Sequence, residues 1–486
     1  MVADGNFEVR KSPIGDEAFC REYSHKLASK QHTVLEFLSN LADPQVSYYL
    51  LRQSVNASRM NYLLRTTPPT HTRDAAAEFD ASVLSCLQAA CGLALSDGQR
   101  AQATLPVRLG GLGLRSAAES ADAAYTASRA VTHSICCKLS AEYRWDVDFP
   151  GSHLACATER LKSNCPSLNV TGDLDSLTQR YLNKALEKWQ CDRWTSASAA
   201  ADQTNAKAHS APGAGAELGV TPSKTLDKQL TRGEFVTVVS RRLGVDVMDG
   251  GVPCTTCGQV LDSKGIHCMS CMGGGDHTVQ HNAVRDVYFD FCSRGRLRPT
   301  SEAPSVLADV LGRDDRHRPA DILCVPALVF ARRLPDGSRA VRTEPVCFDF
   351  AVINALGLAH WDHTNTGPAR AAEAYGDGKK SRNNTDALCT AAGYRFWPVI
   401  HEVQGGTSKE ADTAQRAIAE AVATAEGRSI GAVLRELRER LALVISRCCS
   451  KTISARMPAP VASPVTFAAA LLLSDVGGSD GCEDAG

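Results

Sequence analysis

The sequence predicts an α+β/α/β multidomain protein: a helical first half, a small Cys/His-rich knuckle and an α/β domain toward the end. Three observations carry this reading. Apolar side chains recur at helical spacing through most of residues 1–140, cysteines and histidines crowd between 254 and 281, and β-rich runs alternate with helical segments after 319. At roughly 100–200 residues per domain, 486 residues suffice for two to four domains, each with its own core.

Taken in order, residues 16–62 carry Leu35, Leu38 and Leu41, then Val46, Tyr49 and Leu50, at the 3–4-residue spacing of packed helices. Asp43 can cap and Pro44 can start the second of them. Pro68-Pro69 interrupts the pattern, 79–95 restores it, and the Gly-rich PVRLGGLGLRS leads into an Ala-rich helix over 117–132. A helical extension fills 141–195. Residues 196–225, rich in Ala, Ser, Gly and Pro without apolar period, read as a flexible linker. A helix over 226–243 and the Cys/His cluster make a unit to about 300, with a second helix over 282–291. The α/β domain spans 301–455, with strands at 320–331, 346–353 and 394–403 and helices between and after them; residues 456–486 read as a disordered tail.

Composition narrows the class. With 43% hydrophobic and 22% charged residues the chain is ordinary globular material, and collagen-like, coiled-coil or wholly disordered architectures are disfavoured. The net charge of −1 excludes a globally basic polyanion binder, so any nucleic-acid surface is local. The start MVADGNFEVRKSPIGDE has neither the basic nor the apolar region of a signal peptide, and the longest apolar run, FAAALLL, falls far short of the roughly 20 residues of a membrane span. The expectation is an intracellular protein, nuclear or cytoplasmic, with its 19 cysteines reduced.

In CTTCGQVLDSKGIHCMSCMGGGDHTVQHN, Cys254 and Cys257 offer two thiolates from one tight turn, and His267 with Cys271 can close a four-coordinate structural Zn²⁺ site. Two other sets compete: Cys268 with Cys271, whose spacer is shorter than the roughly 15–20 residues of four-thiolate ribbons, and His277 with His281, whose spacer exceeds the roughly 12–15 of common fingers. Such a Gly-rich segment needs a staple to fold.

Asp321 stands at the start of one apolar strand and Asp349 between Phe348 and Phe350 in the next. A carboxylate among apolar neighbours is costly unless paired or bound to a cation. Two on adjacent strands can hold Mg²⁺ and support phosphodiester hydrolysis. Lys379 and Lys380 are candidates to orient the nucleophile, and Glu402 is a third acidic candidate. Arg294, Arg296, Arg298, Arg316 and Arg318 form a basic stretch suited to phosphate contacts, or else a solvated charged face.

These features fall in a familiar order. SPIGDEAFC, LADPQVSYYLLRQS, NYLLRTTPP and LPVRLGGLGLRSAAESADAAYTAS, then CTTCG with GIHCMSC, then HRPADI, CFDFAV, ARAAEAY and YRFWPVIHEVQGG resemble the C-terminal part of the reverse-transcriptase-like polyprotein of non-LTR retrotransposons that use a restriction-enzyme-like endonuclease. The resemblance implies a polymerase thumb-like region, a zinc knuckle bound through Cys254, Cys257, His267 and Cys271, and a PD-(D/E)xK-like nuclease with Asp321 and Asp349 as magnesium ligands. The chain departs from the family pattern at Ala320, which separates Pro319 from Asp321, and at Ala351, where a lysine would stand. The implied protein binds DNA and/or RNA and nicks DNA, or binds nucleic acid as an inactive remnant. It lacks the aromatic-x-Asp-Asp turn of a polymerase palm, so no reverse transcription is expected.

Overall fold

The computed structural model describes residues 5–143, 145, 149–170, 174–311, 318–333 and 339–457, with 326–333 and 339–343 as backbone only. These residues form a mostly helical molecule with a small mixed sheet. A short hairpin, β1 (Phe7–Val9) and β2 (Ser12–Ile14), precedes helices Glu17–Ser29, His32–Ser39, Pro44–Ser54 and Ser58–Thr66. The Asp43 carboxylate accepts hydrogen bonds from the backbone N–H groups of Gln45 and Val46 at 2.9 and 3.0 Å, while Pro44 occupies the first turn, where a missing N–H leaves no bond unmade. Pro69 likewise opens the long helix Pro69–Cys91, so the expected break at Pro68-Pro69 is a helix start ten residues ahead of the predicted one. The Ala-rich helix runs Ala117–Leu139 and holds helices His153–Asn164 and Gln179–Ala197 around a small core of Leu161, Leu182 and Leu186.

The expected linker is folded. Residues 196–225 contain the helix Ala200–Ala208 and a tight turn at Ala216–Gly219, and Ala206, Ala208, Leu218 and Val220 are buried. Small side chains leave no apolar stripe to read, yet they allow close approach: a Cβ at Gly110, whose φ is +81°, would meet the Ala206 carbonyl at 2.8 Å. The fully buried Arg242, on helix Arg232–Leu243, secures this Gly-rich loop by donating from Nε to the Gly111 carbonyl at 2.8 Å and from its terminal nitrogen to the Val107 carbonyl.

The sheet runs β3 (Pro299–Ser301), β4 (Ile322–Arg333), β5 (Arg339–Ile353), β6 (Arg395–Glu402) in that spatial order. The first three strands are antiparallel, and β6 lies parallel to β5. A parallel pair demands a crossover, which helices Trp361–Thr366, Arg370–Ser381 and Thr385–Ala391 provide. Register sets Ile322 opposite Phe348, Asp349 opposite Pro398 and Ile353 opposite Glu402. Helices Asp276–Arg294 and Lys409–Glu426 pack on the sheet, Ile430–Arg456 packs on those two helices, and together they bury Phe348, Phe350, Trp397, Ile418 and Leu437, each contributing on the order of 2 kcal/mol. The last helix also lends Leu443 to the core of the helical half, beside Leu51 and Phe235. The expected tail lies outside the described residues from 458 onward, and the last helix itself reaches Arg456. No helix among the described residues is long and apolar enough to cross a membrane.

Candidate metal centre and paired-carboxylate site

The knuckle is assembled by backbone hydrogen bonds before any ion is considered. Gly258 N–H donates to the Cys254 carbonyl at 2.9 Å and Cys254 N–H to the Gln259 carbonyl at 2.8 Å, closing the turn that holds Cys254 and Cys257. Asp262 organises the other half: its carboxylate accepts from the N–H groups of Lys264, Ile266 and His267 at 3.0, 2.9 and 2.7 Å, which starts the short helix Ile266–Ser270 and orients His267. Cys271 follows directly, with its N–H on the His267 carbonyl at 2.8 Å.

One potential ligand atom from each of Cys254, Cys257, His267 and Cys271 lies within 4.8 Å of all the others. Thiolates at about 2.3 Å from a tetrahedral ion stand roughly 4 Å apart, so the four side chains can hold a metal ion such as zinc. Burial opposes ionisation of Cys254, but the Cys257 and Thr256 N–H groups and His267 prevail and draw the thiol down to about 6, the thiolate form a metal requires. The competing ligands stand elsewhere. Cys268 is fully buried in the core, where burial and the Asp262 charge push its thiol up to about 12. His277 lines a groove beside the cluster without joining it. His281 points to the sheet, its Nε2 lying 3.4 Å from Asp321 Oδ1.

Asp321 immediately precedes β4, and strand pairing brings it against β5: its N–H donates to the Phe348 carbonyl at 2.8 Å, and its Oδ2 accepts from Phe350 N–H at 2.7 Å. Between those two residues stands Asp349, whose Oδ1 receives Lys379 Nζ at 2.7 Å; the same ammonium donates to the Phe350 carbonyl at 3.2 Å. The two carboxylates are close enough for the charge of Asp321 to act on Asp349, since the Asp321 side chain reaches the N–H of Phe350, the next residue. Burial and the neighbouring Asp321 charge raise Asp349 to about 6 against the pull of Lys379. Burial also works against ionised Asp321, but His281, the Phe350 N–H and Lys379 outweigh it and hold the carboxyl below its ordinary value. The result is a pair of carboxylates sharing one small space, flanked by an ammonium and an imidazole.

The other candidates are not at this pair. Lys380 turns to Glu410. Glu402 lies four strand positions beyond the Asp349 level, roughly 13 Å along the sheet. Its Oε1 accepts from Ala372 N–H at 3.3 Å at the start of the helix whose far end carries Lys379, and burial lifts its carboxyl to about 7. Glu402 is a buried helix-end acid. Arg294 is committed to Glu426 and Glu436, each at 2.8 Å, and its guanidinium lies over the Phe291 ring, so it is not a free phosphate contact. Arg296 and Arg298 are exposed in the turn entering β3, and Arg318 is exposed with Glu302 at 3.5 Å; Arg316 lies outside the described residues. The sequence reading missed His281 at the acid pair because it began the helix at 282, whereas the helix begins at Asp276. Counting back seven positions from Tyr288, which packs on Phe350 with ring centroids 4.8 Å apart, reaches His281 on the same face.

No protein-family model matches the chain, and no curated protein is significantly similar to it.

Proposed function

We propose that the Asp321–Asp349 pair is the centre of a Mg²⁺-dependent DNA endonuclease that nicks its target, in a retroelement-derived, nucleic-acid-binding chain. The observation that carries it is the convergence of two carboxylates from adjacent strands with Lys379 Nζ 2.7 Å from one of them. A donor set of two neighbouring carboxylates, one of them raised to about 6, fits a divalent cation, which would relieve their mutual repulsion. When bound, such an ion supplies Lewis-acid stabilisation of a phosphate and a water of lowered pKa.

The protein's own groups do the rest. Asp321 and Asp349 supply oxygen ligands, and the Phe350 N–H keeps Asp321 turned toward its partner. Lys379 offsets negative charge beside Asp349 and is in position to donate to a phosphate oxygen or to orient the attacking water. Arg296, Arg298 and Arg318, exposed at the β3 edge, give a backbone-tracking nucleic acid local positive charge. The knuckle's part in this reading is structural, a Zn²⁺-held brace between the last helix and the sheet.

The test is nicking of supercoiled plasmid by the purified chain with Mg²⁺. Nicking by the wild type and its loss in Asp349→Ala are expected; equal inertness of the two, with salt-sensitive DNA binding retained, would leave a binding protein without chemistry.

A further inference from the structure

We propose that His281 is a positioning residue of the acid pair, delivered to it by the helix that leaves the metal knuckle; the inference rests on the endonuclease reading and deepens it. Asp321 has two oxygens to orient. Oδ2 is held by the Phe350 N–H at 2.7 Å, but one donor leaves the carboxylate plane free to turn about that contact. His281 Nε2, 3.4 Å from Oδ1, approaches the second oxygen from outside the sheet. With a hydrogen bond on one oxygen and the imidazole beside the other, Asp321 is favoured in one orientation toward Asp349, as a divalent ion with strict ligand geometry requires.

The imidazole is fixed from both directions. Two turns after it, Tyr288 packs on Phe350 with the rings tilted and bonds through its hydroxyl to His401 Nε2 at 2.9 Å, which sets the depth of the helix against β5 and β6. Before it, Asp276 at the helix start pairs with Arg456 at 2.5 Å, and the nearly buried Arg456 guanidinium also donates to the Gly273 carbonyl at 2.6 Å, two residues after the last knuckle ligand. The helix therefore cannot slide along the sheet without breaking a buried hydrogen bond or the Arg456 contacts. For stability alone the His281–Asp321 contact is of little use, since both side chains remain about a quarter exposed and such pairs contribute roughly 0–1 kcal/mol.

The experiment measures Mn²⁺ binding to the full zinc-loaded chain by electron paramagnetic resonance, with circular dichroism and zinc content as checks on folding. His281→Ala should weaken Mn²⁺ binding about tenfold, the usual effect of removing a group that orients a metal ligand. His281→Gln, whose amide nitrogen reaches about where Nε2 stands, should recover most of that loss. Unchanged Mn²⁺ binding in His281→Ala, or a His281→Gln variant as weak as His281→Ala, overturns the proposal. Asp349→Ala separates it from the reading beneath: if wild type and Asp349→Ala bind Mn²⁺ alike, the endonuclease reading falls and this inference with it, whereas loss in Asp349→Ala but not in His281→Ala removes only the role of His281.

Discussion

Lys379 Nζ lies 2.7 Å from Asp349 Oδ1 although the two residues stand 30 positions apart, one within a strand and one near the end of the crossover helix. The crossover brings the helix back against β6, so that its last turn reaches across to Asp349 and the Phe350 carbonyl.

Lys379 opposes the rise of Asp349 to about 6, so its removal leaves that carboxyl still harder to ionise. Nicking at limiting Mg²⁺ should climb as pH rises through about 6, because the cation competes with the proton the pair retains. In Lys379→Met the climb should move to higher pH and the plateau should fall on the order of a hundredfold. A pH–rate profile of the two proteins checks both; an unmoved profile would show Lys379 to be a bystander.

Zinc content distinguishes the ligand sets. Cys254→Ser should lose bound zinc, with a lower Tm from the loss of a structural ion. Cys268→Ser should keep it, since that sulfur lies in the core. Elemental analysis with thermal melts reads both, and zinc retained in Cys254→Ser would refute the assignment.

Glu402 makes stability fall with pH. Its folded carboxyl stands at about 7, above the ordinary 4.5, so between those values the folded state holds the proton more tightly and loses stability as pH rises. Glu402→Gln should match wild type below about pH 4.5 and exceed it well above pH 7 by about 3 kcal/mol. Urea melts at the two pH values measure it; the same difference at both would contradict the buried-acid account.

Tyr288 joins His401 and Gln415, the latter donating to its hydroxyl at 3.1 Å, within the core. Tyr288→Phe keeps the ring but orphans both partners and should cost about 1–3 kcal/mol in denaturant melts. A change within error would mean that the two partners find each other without the hydroxyl.

What the sequence disclosed follows the range of the interactions involved. Asp43 and Pro44 act within one turn, so spacing alone located them, and the four residues that can hold a metal fall within 18 residues, so spacing put them among the candidates while leaving two other sets open. Asp321 and Asp349 stood out as charges in apolar strands, although only strand register brings them together. Arg294 misled because its acceptors, Glu426 and Glu436, come 132 and 142 residues later. Residues 196–225 misled because alanines and glycines pack by close approach, which leaves no hydrophobic rhythm in the sequence. Glu402 looked like a site acid because residue type reveals nothing of how far along a strand a group falls.

The helix Ile430–Arg456 inserts Leu437 into one core and Leu443 into the other. Its last turn places Arg456 on the knuckle. Scission at residue 225 or 300 would accordingly yield fragments with open flanks rather than autonomous modules. Calorimetry of the intact chain should record one joint melting event in place of a staircase, and limited proteolysis should not release the helical half as a surviving piece. A helix hundreds of residues from the first ones thus works as a clasp, tying the two cores to each other and to the knuckle.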